Sequence, residues 1–307
     1  MTIFAWLAGL IVLGIIAMSV WLYQPDKPRA ALEEIYKGDY RTVDGVRLRL
    51  RDTGPSDAEA IVMLHGFGAS LETWEEWAKA LSTRYRVVRF DLPGFGLTGP
   101  DPTGDYTDAR TMKILHELMD QLDVDRASLI GNSLGGRIAW NFAALHPDRM
   151  INLILVSPDG YASPGFDYDK QSATPLIMRA LPYTAPRSLL KANLAAAYGN
   201  PEALSEASVT RYHDMMLAPG VRPAILERLR QVILLEPGPT LARIKAPTLL
   251  LWGEKDGMIP ISNADDYLQD LPSATLVRLP GLGHLPFEED PVQSLIPLER
   301  FLSDQAP

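Results

Sequence analysis

The stretch ASLIGNSLGG, residues 127–136, decides the fold of this chain. Its apolar beginning predicts a buried strand, and residues 134–145 continue with the periodicity of a helix. Between strand and helix, GNSLG at residues 131–135 fits the pattern G-x-S-x-G, in which a sharp turn presents the central serine. The helix dipole at that turn favours developing negative charge. The stretch therefore predicts a nucleophilic serine, Ser133, where a buried strand passes into a helix.

The same alternation of strand and helix recurs on both sides of this stretch. Apolar strands are predicted at Ala60–Leu64, Arg86–Phe90, Ala127–Ile130, Leu153–Val156, Thr248–Trp252 and Thr275–Leu279, and helices at Trp74–Ser82, Ala109–Leu122, Leu134–Leu145 and Ala264–Leu271. Strands that are apolar on both faces and alternate with helices indicate an α/β fold, with a mostly parallel sheet and helices on both faces. Period-two alternation over Thr42–Arg51 predicts an antiparallel hairpin that turns at Asp44-Gly45.

The alternation is interrupted at residues 158–245. This stretch is rich in Pro, Leu, Ala and Met, and short helical patterns occur at Ser188–Ala197 and Arg222–Leu235. The simplest prediction is a helical cap inserted between two strands and lying over one edge of the sheet. The α/β core then comprises residues 42–157 and 246–307.

Composition excludes several classes of protein. The chain has 307 residues, of which 47% are hydrophobic and 22% charged, so it is long enough for a large core and is not of a disordered class. Its net charge of −9, without a basic cluster, argues against nucleic-acid binding. The absence of cysteine excludes disulfides, thiolate zinc sites and a cysteine nucleophile.

The N-terminal residues 3–23, IFAWLAGLIVLGIIAMSVWLY, contain no charge. About 20 apolar residues span a bilayer core, and aromatic residues lie near both ends of this run, as at membrane interfaces. We predict a transmembrane anchor over residues 1–23, followed by a linker with a short amphipathic helix over residues 24–41. Lys27 and Arg29 follow the span, and the positive-inside rule then favours a cytoplasmic location for the rest of the chain.

Two other interpretations of the N-terminus stay open. A cleaved signal peptide has a basic beginning, a shorter apolar run and a small-x-small cleavage site, none of which is evident. A buried core helix would carry a polar stripe, and none is visible. The side of the membrane is equally open, because two basic residues also permit a periplasmic domain.

A nucleophilic serine needs a base, and the chain has five histidines. His284 follows Gly281 and Gly283 in GLGHL, in a loop directly after the last predicted strand, where its side chain can reach back over the sheet edge. The other four have simpler explanations: His116 lies within a helix, His146 at a helix end and His213 in the insertion, whereas His65 belongs to a separate motif. We predict His284 as the base.

The base needs an orienting carboxylate. Asp256 lies in GEKDG, directly after the strand Thr248–Trp252, and gives the chain order Ser, Asp, His that is typical of one hydrolase architecture. Glu254 in the same loop and Asp159 after the preceding strand are the alternatives. We predict Asp256.

The tetrahedral intermediate of acyl transfer needs two backbone N–H donors. We assign them to Leu134, which follows the serine, and to Phe67 in HGFG at residues 65–68, which follows a strand. An ordinary glycine-rich turn is the alternative for HGFG. A phosphate loop is excluded, since G-x-x-x-x-G-K-[ST] does not occur.

Over residues 42–301, these motifs and their order resemble the α/β-hydrolase fold superfamily. The motifs that carry the resemblance are HGFG at 65–68, DLPGFG at 91–96, GNSLGG at 131–136, WGEKD at 252–256 and GH at 283–284. The resemblance implies that the Asp91 loop is structural and that the insertion covers a substrate pocket. Haloalkane dehalogenases and epoxide hydrolases carry Asp at the elbow, so Ser133 argues against both.

Two subfamilies remain similar to this chain. Asn132 before the serine is similar to hydrolases that cleave C–C bonds of vinylogous diketones, whereas a membrane-anchored chain with a short cap looks like monoacylglycerol lipases and lipid esterases. We predict a serine hydrolase of carboxylic esters, with a lipid-like substrate such as a monoacylglycerol or a medium-chain acyl ester. No metal or organic cofactor is implied. A C–C hydrolase, a cofactor-free haloperoxidase and a catalytically silent binding protein are the alternatives.

The cap segment also suggests where an acyl chain would lie. Its apolar residues offered for such a pocket are Leu176, Ile177, Met178, Leu181, Leu189, Leu190, Met215, Met216 and Leu217. We expect about half of them to pack the cap onto the sheet instead, as apolar residues of a cap usually do.

Overall fold

A computed structural model of the chain describes Trp6 and residues 22–162, 167–170, 176–271 and 273–305. Within these residues, eight strands form one sheet in the order β1-β2-β4-β3-β5-β6-β7-β8. The strands are β1 (Asp39–Val43), β2 (Val46–Thr53), β3 (Ala60–Leu64), β4 (Arg86–Phe90), β5 (Ala127–Ser133), β6 (Met150–Pro158), β7 (Thr248–Gly253) and β8 (Thr275–Leu279). β2 pairs antiparallel with both β1 and β4, and all other pairs are parallel. The predicted mostly parallel sheet is confirmed.

The first two strands form the predicted hairpin. Val43 pairs with Val46, and Asp44 and Gly45 both have positive φ, of 45° and 81°. Two consecutive positive φ angles define the type I′ turn, which suits the twist of paired strands. β1 already begins at Asp39, before the expected core boundary, because it pairs with β2 over its whole length.

Helices cover both faces of the sheet. The α-helices are α1 (Arg29–Ile35), α2 (Glu75–Leu81), α3 (Asp108–Gln121), α4 (Leu134–Leu145), α5 (Arg187–Ala196), α6 (Glu206–Met216), α7 (Val221–Gln231), α8 (Gly238–Leu241), α9 (Ser262–Asp270), α10 (Pro286–Glu289) and α11 (Pro291–Asp304). Short 3-10 helices occur at Leu71–Trp74, Pro147–Arg149, Leu176–Ala180 and Pro201–Ala203. The side chains of β3 show why both faces are covered: Val62 and Leu64 enter one buried apolar cluster, and Ile61 and Met63 enter the other.

The described part of residues 158–245, which we call the cap segment, contains α5 to α8. The expectation that its apolar residues line a pocket is wrong for three of them. Leu176, Ile177 and Leu189 are exposed to solvent, whereas Met215 and Leu217 are buried against the core. Whether an apolar side chain faces inward depends on how α5 and the 3-10 helix before it pack, and the composition of the segment does not reveal that.

Most of the predicted membrane anchor lies outside the described residues. Among the described residues, no helix has both the length and the apolar character needed to cross a bilayer. The predicted span over residues 3–23 lies outside the described residues, apart from Trp6, Leu22 and Tyr23. The structure therefore leaves the predicted anchor untested.

Candidate active site

Ser133 lies at the turn from β5 into α4. Its φ of 52° and ψ of −119° lie in a region of backbone conformation that residues other than glycine rarely adopt. Such strain persists only where the surrounding structure enforces it. Gly131 and Gly135 permit the turn, because a Cβ on Gly131 would meet the Gly135 carbonyl oxygen at 2.3 Å and one on Gly135 would meet that of Leu64 at 2.2 Å. The structure thus has the strand, strained serine and helix that define a nucleophile elbow.

Asp256 and His284 come together in a buried hydrogen bond. Their loops follow β7 and β8, which are parallel neighbours in the sheet, so both residues lie at the same edge. The His284 Nδ1 atom lies 2.8 Å from Asp256 Oδ2, and the Asp256 side chain is completely buried. Asp256 Oδ1 accepts two further hydrogen bonds, from the backbone N–H groups of Met258 and Ile259 at 2.8 and 2.9 Å.

These contacts determine which nitrogen of His284 carries the proton. A carboxylate accepts hydrogen bonds on both oxygens, so Nδ1 must donate to Asp256. The neutral ring then has its lone pair on Nε2, where a general base needs it. The pair is therefore arranged to accept a proton on Nε2 and to stabilise the resulting imidazolium.

The alternative carboxylate, Asp159, lies elsewhere. Its Oδ2 atom accepts a hydrogen bond from Arg137 at 2.6 Å, and its backbone oxygen accepts from Trp140 and Tyr267, both at 3.0 Å. Its N–H donates to the Ser133 carbonyl at 3.0 Å. Asp159 thus supports the serine turn through its backbone, while its carboxylate is paired with a guanidinium.

Glu254, the other carboxylate weighed, does not take this place either. Its N–H donates to the Leu279 carbonyl oxygen at 3.1 Å, which ties the loop after β7 to the end of β8. Two of the remaining histidines, His116 and His213, have hydrogen-bond partners of their own. His116 Nε2 lies 2.9 Å from an Arg149 nitrogen, and His213 Nε2 lies 2.9 Å from the Ala185 oxygen.

The HGFG loop passes close to the serine. A Cβ on Gly66 would lie 3.3 Å from Ser133 Cβ and 2.7 Å from the Asn132 side-chain oxygen, so only glycine allows this approach. Phe67 follows directly, and Leu134 is the first residue of α4, whose N–H has no intrahelical partner. The two expected oxyanion donors thus follow Gly66 and Ser133 in the chain, the two residues that approach each other here.

His65 fixes that loop in place. Its Nε2 accepts a hydrogen bond from the Leu92 N–H at 2.9 Å, and its Nδ1 lies 2.7 Å from the Gly66 carbonyl oxygen, to which it donates. The bond that Nε2 accepts requires a neutral ring, and complete burial lowers the pKa of His65 to about 4. Phe95, from the loop that Leu92 begins, packs edge-on against both His65 and Phe67.

Sequence reasoning missed two supporting contacts. The Asn132 amide donates to the Val156 and His284 carbonyl oxygens, at 3.0 and 3.2 Å, and so joins the serine turn to the histidine loop. The Glu289 carboxylate accepts from the N–H groups of Gly283 and Gly199, at 2.8 and 2.9 Å. The position of Asn132 beside the serine was a signal for the first contact, but nothing in the sequence indicates the second.

The comparisons with known proteins agree with this geometry. The model of the alpha/beta hydrolase fold family matches residues 59–291. The chain belongs to the α/β-hydrolase fold family, whose nucleophile elbow, sheet order and motif order it shares.

Among characterised relatives, a 2-hydroxy-6-oxo-6-phenylhexa-2,4-dienoate hydrolase of Burkholderia cepacia is 28% identical over 247 residues, which cover 78% of this chain and 85% of the relative. A solved structure described as a membrane phospholipase A and bacterial virulence factor is 26% identical, with a TM-score of 0.75 over 98% of both chains. A putative lipase of Acinetobacter baumannii shares the fold, with a TM-score of 0.74 at 23% identity over 92% of this chain and 99% of the lipase.

Proposed function

We propose that this protein is a serine hydrolase that cleaves carboxylic esters through an acyl-enzyme. The observation that carries the proposal is the buried 2.8 Å hydrogen bond between His284 and Asp256, combined with the strained elbow at Ser133. His284 Nε2 accepts the Ser133 hydroxyl proton as the oxygen attacks the acyl carbon, and returns it to the leaving alcohol. Asp256 holds the ring and stabilises the imidazolium.

The remaining chemistry follows from the loops around the serine. The N–H groups of Phe67 and Leu134 bind the oxyanion of the tetrahedral intermediate. A water molecule, deprotonated by His284, then attacks the acyl-enzyme and releases the acid. The proposed steps use only side chains and backbone groups of the protein together with water, and none of them calls for a metal or an organic cofactor.

The proposed substrate is lipid-like, a monoacylglycerol or a medium-chain acyl ester. The apolar run over residues 3–23 supports a single-pass membrane anchor, which brings the site close to molecules that partition into a bilayer. The likeness to a membrane phospholipase A extends over 98% of this chain, well beyond residues 59–291. In this proposal the core is residues 42–157 and 246–307, and the cap at 158–245 covers the pocket.

The cap segment touches the histidine loop directly, which supports its place over the site. The His284 N–H donates to the Ala197 carbonyl oxygen at 2.7 Å, just after α5. A Cβ on Gly283 would lie 2.4 Å from the same oxygen, so the two segments are in close contact. A substrate that reaches Ser133 is therefore bounded by the cap on the side of the base.

A fluorophosphonate probe tests the nucleophile. The wild-type chain should be labelled and lose activity on p-nitrophenyl butyrate, whereas Ser133→Ala should take up no label. Asp159→Asn is the matched control, since its carboxylate lies on Arg137 rather than on the base. Labelling of Ser133→Ala equal to that of wild type, or no esterase activity on any acyl ester, would exclude the proposed mechanism.

A C–C hydrolase of vinylogous diketones is the second candidate. Asn132 beside the nucleophile and the 28% identity to a 2-hydroxy-6-oxo-6-phenylhexa-2,4-dienoate hydrolase favour it. A direct comparison of kcat/KM for that dienoate and for a monoacylglycerol decides between the two. Faster turnover of the dienoate would replace the ester assignment, while the same three residues would still carry the chemistry.

A further inference from the structure

Large apolar side chains of the cap segment point into solvent. Leu176 and Ile177 are each 75% exposed, Tyr183 is 64% exposed and Leu189 is 62% exposed. They lie close together along the chain, from the 3-10 helix Leu176–Ala180 to the first turn of α5. We call these four side chains the apolar face. A concentration of exposed apolar side chains on a folded chain commonly marks a site of interaction with a protein or a membrane.

The N-terminal segment arrives at this same face. The Gln24 N–H donates to the Tyr183 carbonyl oxygen at 2.9 Å, and the Gln24 side-chain oxygen accepts from the Ala185 N–H at 2.8 Å. Leu22 and Tyr23, directly before them, are 37% and 56% exposed. The last residues of the predicted span therefore lie beside the apolar face.

Further contacts hold the segment after the span against the cap. The Lys27 N–H donates to the Leu217 carbonyl oxygen at 2.8 Å, and its ammonium pairs with Asp214 at 2.6 Å. Asp26 pairs with the buried Arg222 at 2.6 Å. Backbone hydrogen bonds and ion pairs at neighbouring residues leave this segment little freedom to pivot. A bilayer that contains residues 3–23 must then lie next to the cap rather than at a distance set by a flexible linker.

We propose that the apolar face rests on the surface of the bilayer that holds the N-terminal anchor. The inference builds on the membrane anchor of the proposed function and adds the orientation of the folded domain. Leucine, isoleucine and tyrosine side chains that are exposed in water gain free energy when they enter the apolar or interfacial layer of a membrane. The occupant of the face is thus lipid, and a second copy of the chain is the competing occupant that the test must separate.

A groove of the described structure opens beside this face. A cavity of about 700 Å³ borders the apolar face at Tyr183, and Arg179, Tyr106 and Ala224 also line it. Gly94 lies against both Tyr106 and Ala224, and the Phe95 ring that follows it packs on Phe67, with ring centroids 5.3 Å apart. Through these packing contacts, one wall of the groove adjoins the loop that supports Phe67.

Site-directed fluorescence tests the orientation without depending on activity. The chain has no cysteine, so a single cysteine can be placed and labelled with bimane at will. Ile177→Cys and Leu189→Cys probe the apolar face at two separate positions. Val292→Cys and Ile296→Cys are matched controls, because these residues are 73% and 62% exposed on α11, a helix outside the cap segment that contacts α2.

The four labelled full-length proteins are reconstituted in phosphatidylethanolamine–phosphatidylglycerol vesicles, with and without nitroxide-labelled lipid. We expect nitroxide quenching to be several-fold stronger at the two positions of the apolar face than at Val292 and Ile296. Equal quenching at all four positions, or none at Ile177 and Leu189, would overturn the proposal. A blue shift at Ile177 without quenching, and rising with protein concentration, indicates a second copy and overturns it as well.

Two further measurements separate this inference from the proposed function. Flotation of the unlabelled chain with vesicles tests the anchor. Flotation without quenching at Ile177 refutes only the proposed orientation, whereas failure to float refutes both the anchor and the orientation. Hydrolysis of a soluble p-nitrophenyl ester tests the catalytic proposal independently. Ile177→Glu should lower turnover of vesicle-borne ester several-fold and leave the soluble ester unchanged, while Val292→Glu should change neither. An equal loss on both substrates would mean a structural defect and would contradict the orientation.

Discussion

Replacing Asp256 by asparagine should put the ring proton of His284 on the wrong nitrogen. In the protein, Asp256 Oδ1 accepts two backbone N–H groups, from Met258 and Ile259, and Oδ2 accepts from His284. In the variant, the amide oxygen must stay at the two backbone donors, because an NH2 group there would face N–H groups only. The NH2 group then points at Nδ1, which can only accept. The proton moves to Nε2, the atom that has to take the proton of Ser133.

The size of the loss follows from these contacts. The wrong tautomer and the missing anion together should lower kcat by about 10³–10⁴, as for the equivalent change in a serine protease triad. At 1.36 kcal/mol per tenfold, that is about 4–5 kcal/mol of transition-state stabilisation. The fold should survive, since asparagine has the same shape and keeps the two backbone hydrogen bonds. KM should change little, because the Asp256 side chain is completely buried and cannot touch substrate.

The assay is steady-state hydrolysis of p-nitrophenyl butyrate, with thermal unfolding as the check on folding. Asp159→Asn is the matched control, and its kcat should stay within a few-fold of wild type, because its carboxylate pairs with Arg137. Retention of more than a tenth of kcat by a fully folded Asp256→Asn variant would refute the tautomer argument. A larger loss in Asp159→Asn than in Asp256→Asn would assign the orienting carboxylate to the other strand.

Three further expectations concern the base, the buried histidine and the substrate. Ser133→Ala and His284→Ala should each lower ester turnover by several orders of magnitude, since the residues of a triad act as a unit. His116→Ala should leave turnover unchanged, and an equal loss in all three variants would contradict the assignment. Burial lowers the pKa of His65 in the folded state from 6.5 to about 4. As the pH falls through this range, His65 binds a proton in the unfolded chain but stays neutral in the folded chain. Between pH 7 and pH 4, the free energy of unfolding measured with urea should therefore fall by about 3 kcal/mol more for the wild type than for His65→Gln. Equal decreases in the two proteins would be evidence against a neutral His65. For the substrate, kcat/KM should rise from acetyl to medium-chain esters by up to roughly fourfold per methylene, because each buried methylene contributes about 0.8 kcal/mol. Monoacylglycerols should react faster than triacylglycerols, and a maximum of kcat/KM at acetate would exclude a lipid pocket.

Local sequence patterns determined most of the fold. Apolar runs bounded by turns predict strands because both faces of a parallel sheet are covered, and the structure places strands at every predicted position. Asp44-Gly45 specifies a hairpin by its backbone conformation alone. The turn at Ser133 was equally predictable, since the glycines at 131 and 135 are required by close backbone contacts within and next to the motif.

Tertiary structure decided what depends on residues far apart in the chain. Asp159 and Asp256 both follow strands of the same sheet, and only the packing of their loops shows that Asp256 meets His284 while Asp159 meets Arg137. The contact between Glu289 and Gly199 joins segments that no local pattern relates.

In the cap segment, the sequence likewise did not predict which apolar side chains are buried. Leu176 and Leu189 have the composition of pocket residues and yet face outward, whereas Met215 and Leu217 of the same segment are buried. Residue type determines how much free energy burial would release. Which side chains are buried is settled by the way helices pack on the sheet, and that arrangement exists only once the whole chain has folded.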